Sequence, residues 1–154
     1  MQISDMRLAA EDFSVFSPRF VSSQVIYSPT SPKAPACTAG WRDRWWLHGT
    51  PAQQVAISYW IFANDTDAQT AAEAGRWRLS ARTVLVNYRH ESIYRPLADD
   101  SLKVQQAWQA DANVLFVHMN VVVLVAAYGN QVSRETTHFI AKQIIGKMAQ
   151  SCGR

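Results

Sequence analysis

Much that would point to a particular chemistry is scarce or missing in this sequence. It has only two cysteines, Cys37 in "APACTAG" and Cys152 in "AQSCGR". Without a CxxC spacing they make a poor metal site, and sequence leaves open one disulfide or two thiols. GxSxG, GxGxxG and the Walker loop are absent, which removes the usual nucleophile elbow and the usual cradles for nucleotide phosphates. The four histidines, His48, His90, His118 and His138, stand apart, with no partner at metal-ligand spacing. No metal or other cofactor is called for, and binding rather than catalysis is the expected class of function. No apolar run reaches the roughly 20 residues that span a bilayer; the longest, Val121 to Tyr128, is strand-sized. The opening "MQISDMRLAAEDFSVFSP" holds three carboxylates in its first twelve residues and no apolar stretch of signal-peptide length. A cytoplasmic location is therefore expected if Met1 is the native start, and an extracytoplasmic one if a leader has been removed.

What is present describes a globular chain. With 154 residues, 48% apolar and 18% charged, it can bury roughly two-thirds of its unfolded surface without a disulfide or a metal. Of its 15 basic residues 11 are arginine, which suits planar, bidentate or stacked contacts better than lysine does.

The punctuation predicts one α+β domain over 1–154. Residues 1–40 hold a strand, Phe20 to Tyr27, and an irregular connection, "SPTSPKAPACTAG". Residues 41–80 and 113–150 read as two ββα units, with connecting strands (Val84 to Tyr88, Ile93 to Tyr94) and a loop in 81–112. In the first unit a strand at Arg42 to His48 turns through "GTPAQ" into Val55 to Phe62, and a helix near Ala68 to Leu79 follows, its start marked by Thr66 and Gln69. In the second, Val114 to His118 turns at Met119-Asn120 into Val121 to Tyr128, and Ser133 opens a helix from Arg134 to Ala149. Both helices are expected on one face of an antiparallel sheet. The strands at 55–62 and 121–128 are apolar on both faces, so something must also cover the second face: the N-terminal segment, a second copy of the chain in a homo-oligomer, or a ligand.

One stretch stands out, "GWRDRWWLHG", residues 40–49. As a period-2 strand it puts Trp41, Asp43, Trp45 and Leu47 on one face, core-like with one polar exception, and Arg42, Arg44, Trp46 and His48 on the other. Two guanidinium groups flanking an indole can hold an anionic or aromatic ligand by charge and stacking. A plain solvent-facing strand, its arginines lying over Trp46 and pairing with Glu73 or Glu91, would look the same. The expected contact surface is Arg42, Arg44, Trp46 and His48, with Trp60 and Phe62 on the second sheet face as the protein-partner or self-assembly surface. The competing surface is basic: Arg76, Arg78, Arg82, Arg89 and Arg95 lie in a stretch whose only acid is Glu91 and whose aromatics are Trp77, Tyr88 and Tyr94. A net charge of +3 and the lack of any known nucleic-acid-binding module argue against nucleic acid as the partner. A third alternative is a carrier or enzyme with a pocket between sheet and N-terminal segment.

The order of strand, Asn/Asp-containing turn and helix in "YWIFANDTDAQTAAE" and "VLFVHMNVVVLVAAYG", over roughly 53–148, resembles small bacterial domains of unknown function often found in secreted proteins or lipoproteins. That resemblance implies an extracytoplasmic α+β domain similar in outline to the PsbP/Mog1-like sandwich. It carries over no catalytic residue.

Overall fold

The computed structural model describes residues 2–26, 35–73, 95–97, 102, 104–128 and 131–152. Among them lie the strands β1 (Arg19–Val25), β2 (Ala39–Leu47), β3 (Thr50–Ile61), the two-residue β4 (Arg95–Pro96), β5 (Gln106–Ala110), β6 (Asn113–His118) and β7 (Val121–Tyr128). They form one antiparallel sheet in the order β1-β2-β3-β7-β6-β5-β4. Helix α1 is described over 65–73, and α2 is Arg134–Cys152. Two short 3₁₀ segments, Ile3–Asp5 and Ala10–Phe16, precede β1. The architecture is the expected α+β type with an antiparallel sheet. The expected strands at 84–88 and 93–94 and the remainder of the first helix lie outside the described residues.

Side-chain period and tight turns account for the central strands. The β2–β3 hairpin closes at His48-Gly49, both with positive φ (54° and 68°), the combination that matches strand twist. The "GTPAQ" stretch is thus mostly inside β3. Pro51 has no N–H for the ladder, and pairing slips from Leu47↔Thr50 to Trp46↔Gln54 there. Strand β5 was not expected: "QAWQA" offers little more than one tryptophan to mark it. Its turn into β6 is at Asp111, φ 52°. Helix α2 starts where the sequence places it, with Ser133 Oγ accepting the Thr136 amide at 3.2 Å. At α1 the cap is Asn64 rather than Thr66, its Oδ1 accepting the Asp67 amide at 2.8 Å.

The two helices do not share a face, which corrects the expected arrangement. Ile140, Ala141, Ile144 and Met148 of α2 are buried in one cluster with Val55, Ile57 and Tyr59 of β3 and Val121, Val123 and Val125 of β7. Ala68, Ala71 and Ala72 of α1 are buried in another, with Trp60, Phe62, Trp108, Leu115, Leu124 and Ala126, from the opposite side of the same strands. The reason is volume. Tryptophans and a phenylalanine fill the α1 interlayer space and admit only alanines from the helix, whereas on the other face Trp45, Tyr59 and Phe116 stand among valines and isoleucines that leave room for the larger stripe of α2.

The N-terminal segment also lies on the α2 face, so the cover it was expected to give the second face comes in part from α1. Met6, Leu8 and Phe13 are buried in the α2-face cluster, and Phe13 meets Trp45 edge-on at 5.0 Å. Lys147 of α2 ties the segment down, bonding the Arg7 carbonyl at 2.9 Å and the Asp12 carboxylate at 2.7 Å.

Candidate functional site

Strand β2 is the junction between core and surface. On its α2 face Asp43, fully buried, receives Arg7 Nε and Nη2 at 2.8 and 2.9 Å, Ser23 Oγ at 2.6 Å and Trp41 Nε1 at 2.9 Å. The Arg7 guanidinium lies 4.9 Å over the Trp41 ring. The polar exception on the core side is therefore the anchor for the N-terminal segment, and its charge is cancelled on site. Beside it, burial pushes the Tyr59 phenol well above its ordinary pKa, and the Asp43 charge adds to the shift.

On its other face β2 carries the arginines. Register sets Arg42 between Gln24 and Ser58, Arg44 between Ser22 and Ala56, and Trp46 between Arg19 and Gln54. Arg42 Nε donates to Ser58 Oγ at 2.9 Å. Arg19 of β1, a residue the sequence did not single out, stacks over Trp46 at 5.4 Å. Arg44 Nε is buried without a hydrogen-bond partner. Among the described residues neither Arg19 nor Arg44 has a carboxylate partner. Strands β1 to β3 contain no acid other than Asp43, which faces away. The pairing with Glu73 that a plain exposed strand would show is not made by Arg44.

Three of the expected surface residues do not belong to this site. His48 sits in the hairpin turn, past the end of β2, and its ring packs at 6.3 Å against Phe16 of the N-terminal segment. Alternation along a strand cannot be extended through a turn of positive φ. Trp60 and Phe62 are each 1% exposed, inside the α1-face cluster, and offer no surface to a partner. Arg76, Arg78, Arg82 and Arg89 lie outside the described residues, as does the side chain of Arg95, whose backbone forms β4.

The pocket expected between sheet and N-terminal segment is occupied by the segment's own buried side chains. A groove of about 410 Å³ lies instead beside the first turns of α2, lined by Gln109, Arg134, Glu135, His138, Phe139 and Lys142. There His138 Nε2 is 3.1 Å from Gln109 Oε1, and Arg134 Nε donates to the Asp111 carbonyl at 2.9 Å. At the far end of the sheet, burial lowers the pKa of His118, opposed by the charge of Asp65. Cys37 is partly buried against the α1-face cluster, and the side chain of Cys152 lies outside the described residues. Among the described residues no helix is long and apolar enough to cross a membrane.

No protein-family model matches this sequence, and comparison with curated proteins returns no match.

Proposed function

We propose that this protein is a non-catalytic binding module that takes an anionic partner on the Arg19–Arg44–Trp46 face of β1 and β2. The observation that carries the reading is the pair of guanidinium groups on one face, Arg44 and the Trp46-stacked Arg19, neither with a carboxylate partner among the described residues. The described side chains of this face are guanidinium, indole, amide, hydroxyl and methyl groups. They recognise charge and planar surfaces but include no carboxylate, imidazole or thiol to move a proton. A helix on each side of the sheet suits the sandwich outline that the resemblance to PsbP/Mog1-like domains implies.

The test is titration of the protein with inorganic polyphosphate, a non-peptide polyanion, followed by tryptophan fluorescence at two salt concentrations. Binding should weaken with salt and fall about a hundredfold in the double variant Arg19→Gln, Arg44→Gln, each charge-assisted contact being worth about a factor of ten. Unchanged affinity in that variant would sink the reading and move attention to the basic stretch from Arg76 to Arg95.

A further inference from the structure

The two edges of the sheet are built differently. Among the described residues β4 closes one edge with two residues, one of them Pro96, which cannot donate to an added strand. β1, at the other edge, runs seven residues, and from Phe20 to Val25 it carries no charge and no proline. The large apolar side chains exposed among the described residues gather there: Phe20 is 48%, Val21 42% and Val25 66% exposed, with Val15 at 67% just ahead of the strand. Among the described residues, ladder alternation also leaves β1 open. The Ile26 amide bonds Gly40 across to β2, so Gln24 and Ser22 turn inward with it, while the N–H and C=O of Ser23 and Val25 turn to the free side. At Gly40 any Cβ would collide with the Ile26 carbonyl oxygen, so β1 is held close to β2 at that end. The one protective device is the register shift between Phe20 and Ser22, which leaves Ser22–Val25 as the regular part.

The two sides of this edge also differ in charge. On the α2 face the strand shows Phe20 and Val25, and the nearest cation, Arg7, is neutralised by Asp43. On the α1 face Arg19 stands on β1 itself, and Arg44 stands behind the small Ser22. We infer that the anionic partner is an extended polypeptide segment that adds to β1 as a new edge strand. Its alternate side chains are apolar beside Phe20 and Val25, and acidic toward Arg19 and Arg44. Backbone bonding to Ser23 and Val25 supplies the docking, and charge complementarity chooses acidic over basic segments. This rests on the anion-binding reading above and commits its partner to a peptide.

The experiment uses the full chain and a fluorescent heptapeptide alternating Val and Glu. Three comparisons accompany it: the same length alternating Val and Lys, the Val/Glu peptide N-methylated along one edge, and the variant Val25→Lys. The Val/Glu peptide should bind, with the Val/Lys peptide, the N-methylated peptide and Val25→Lys each at least about tenfold weaker. Val25→Pro, which removes only an outward-facing N–H, should weaken binding without loss of cooperative unfolding. Equal binding of the N-methylated peptide would overturn strand addition, since it would leave only side-chain charge. Polyphosphate binding without peptide binding would overturn the peptide partner and leave the anion site standing; binding of neither would remove both. A dimer by light scattering that Val25→Lys dissolves, and that the peptide does not displace, would make a second copy of the chain the occupant and overturn the inference.

Discussion

The two faces of the sheet solve one packing problem with different contributions from their helices. On the α2 face both layers supply the bulk, Ile140, Ile144 and Met148 from the helix and Trp45, Tyr59 and Phe116 from the strands. On the α1 face the strands supply it, through Trp60, Phe62 and Trp108, and the helix contributes alanines. Interior density is the same everywhere, so what one layer lacks the other must provide. The difference shows that an alanine stripe on a helix is as informative as a leucine stripe: it predicts large residues directly opposite.

That contrast can be broken by mutation. Ile144→Ala should cost about 2–5 kcal/mol by leaving a cavity under a helix that supplies part of the volume. Ala71→Leu should cost about 1–3 kcal/mol by overpacking a helix that has none to spare. Urea unfolding of both variants reads the two costs, and a neutral Ala71→Leu would show that α1 is not close-packed on its tryptophans. Comparable in size is Arg7→Ala, which strips two charge-assisted bonds from the buried Asp43 carboxylate. A loss of about 2–3 kcal/mol is expected, together with faster proteolysis of the N-terminal segment, which only the α2 face holds.

The smallest effect concerns Tyr59, on the same face. Burial favours its neutral phenol, so its contribution is complete below about pH 10, where the unfolded chain begins to ionise, and is lost as pH rises further. Tyr59→Phe should change stability by no more than about 1 kcal/mol at pH 7, because the hydroxyl lies by the Leu8 backbone without a hydrogen bond of regular geometry. It should also flatten the alkaline fall in melting temperature. An unchanged alkaline slope would mean that the ring is not sealed between β3 and the N-terminal segment.

Much of the local order was legible in the sequence. Strand β7 has the bounds its apolar run suggests, α2 begins after the expected serine cap, and apolar residues on both faces of β3 and β7 called for a second cover. The same alternation placed Arg42, Arg44 and Trp46 together, opposite Trp41, Asp43 and Trp45, as the register confirms. The limits have physical causes. His48 was carried along with the strand because a two-residue turn changes the direction of the chain without changing its composition. Strand β5 was missed because two alanines and two glutamines around Trp108 carry little amphipathic signal. Arg7 with Asp43, and Arg19 with Trp46, are partners from different elements, and no spacing rule connects them.

What the sequence alone determined about this protein is therefore its periodicities: which strongly patterned stretches are strands, which is the long helix, and which residues share one side of a strand. Those follow from backbone geometry, which repeats identically wherever a strand or helix forms. Only the tertiary structure decided which helix covers which face, that the N-terminal segment joins α2 rather than α1, and that among the described residues β1 is left as an open edge beside two unneutralised arginines. Those outcomes depend on matching volumes and cancelling charges between segments far apart in the chain, and these quantities exist only once the layers have met.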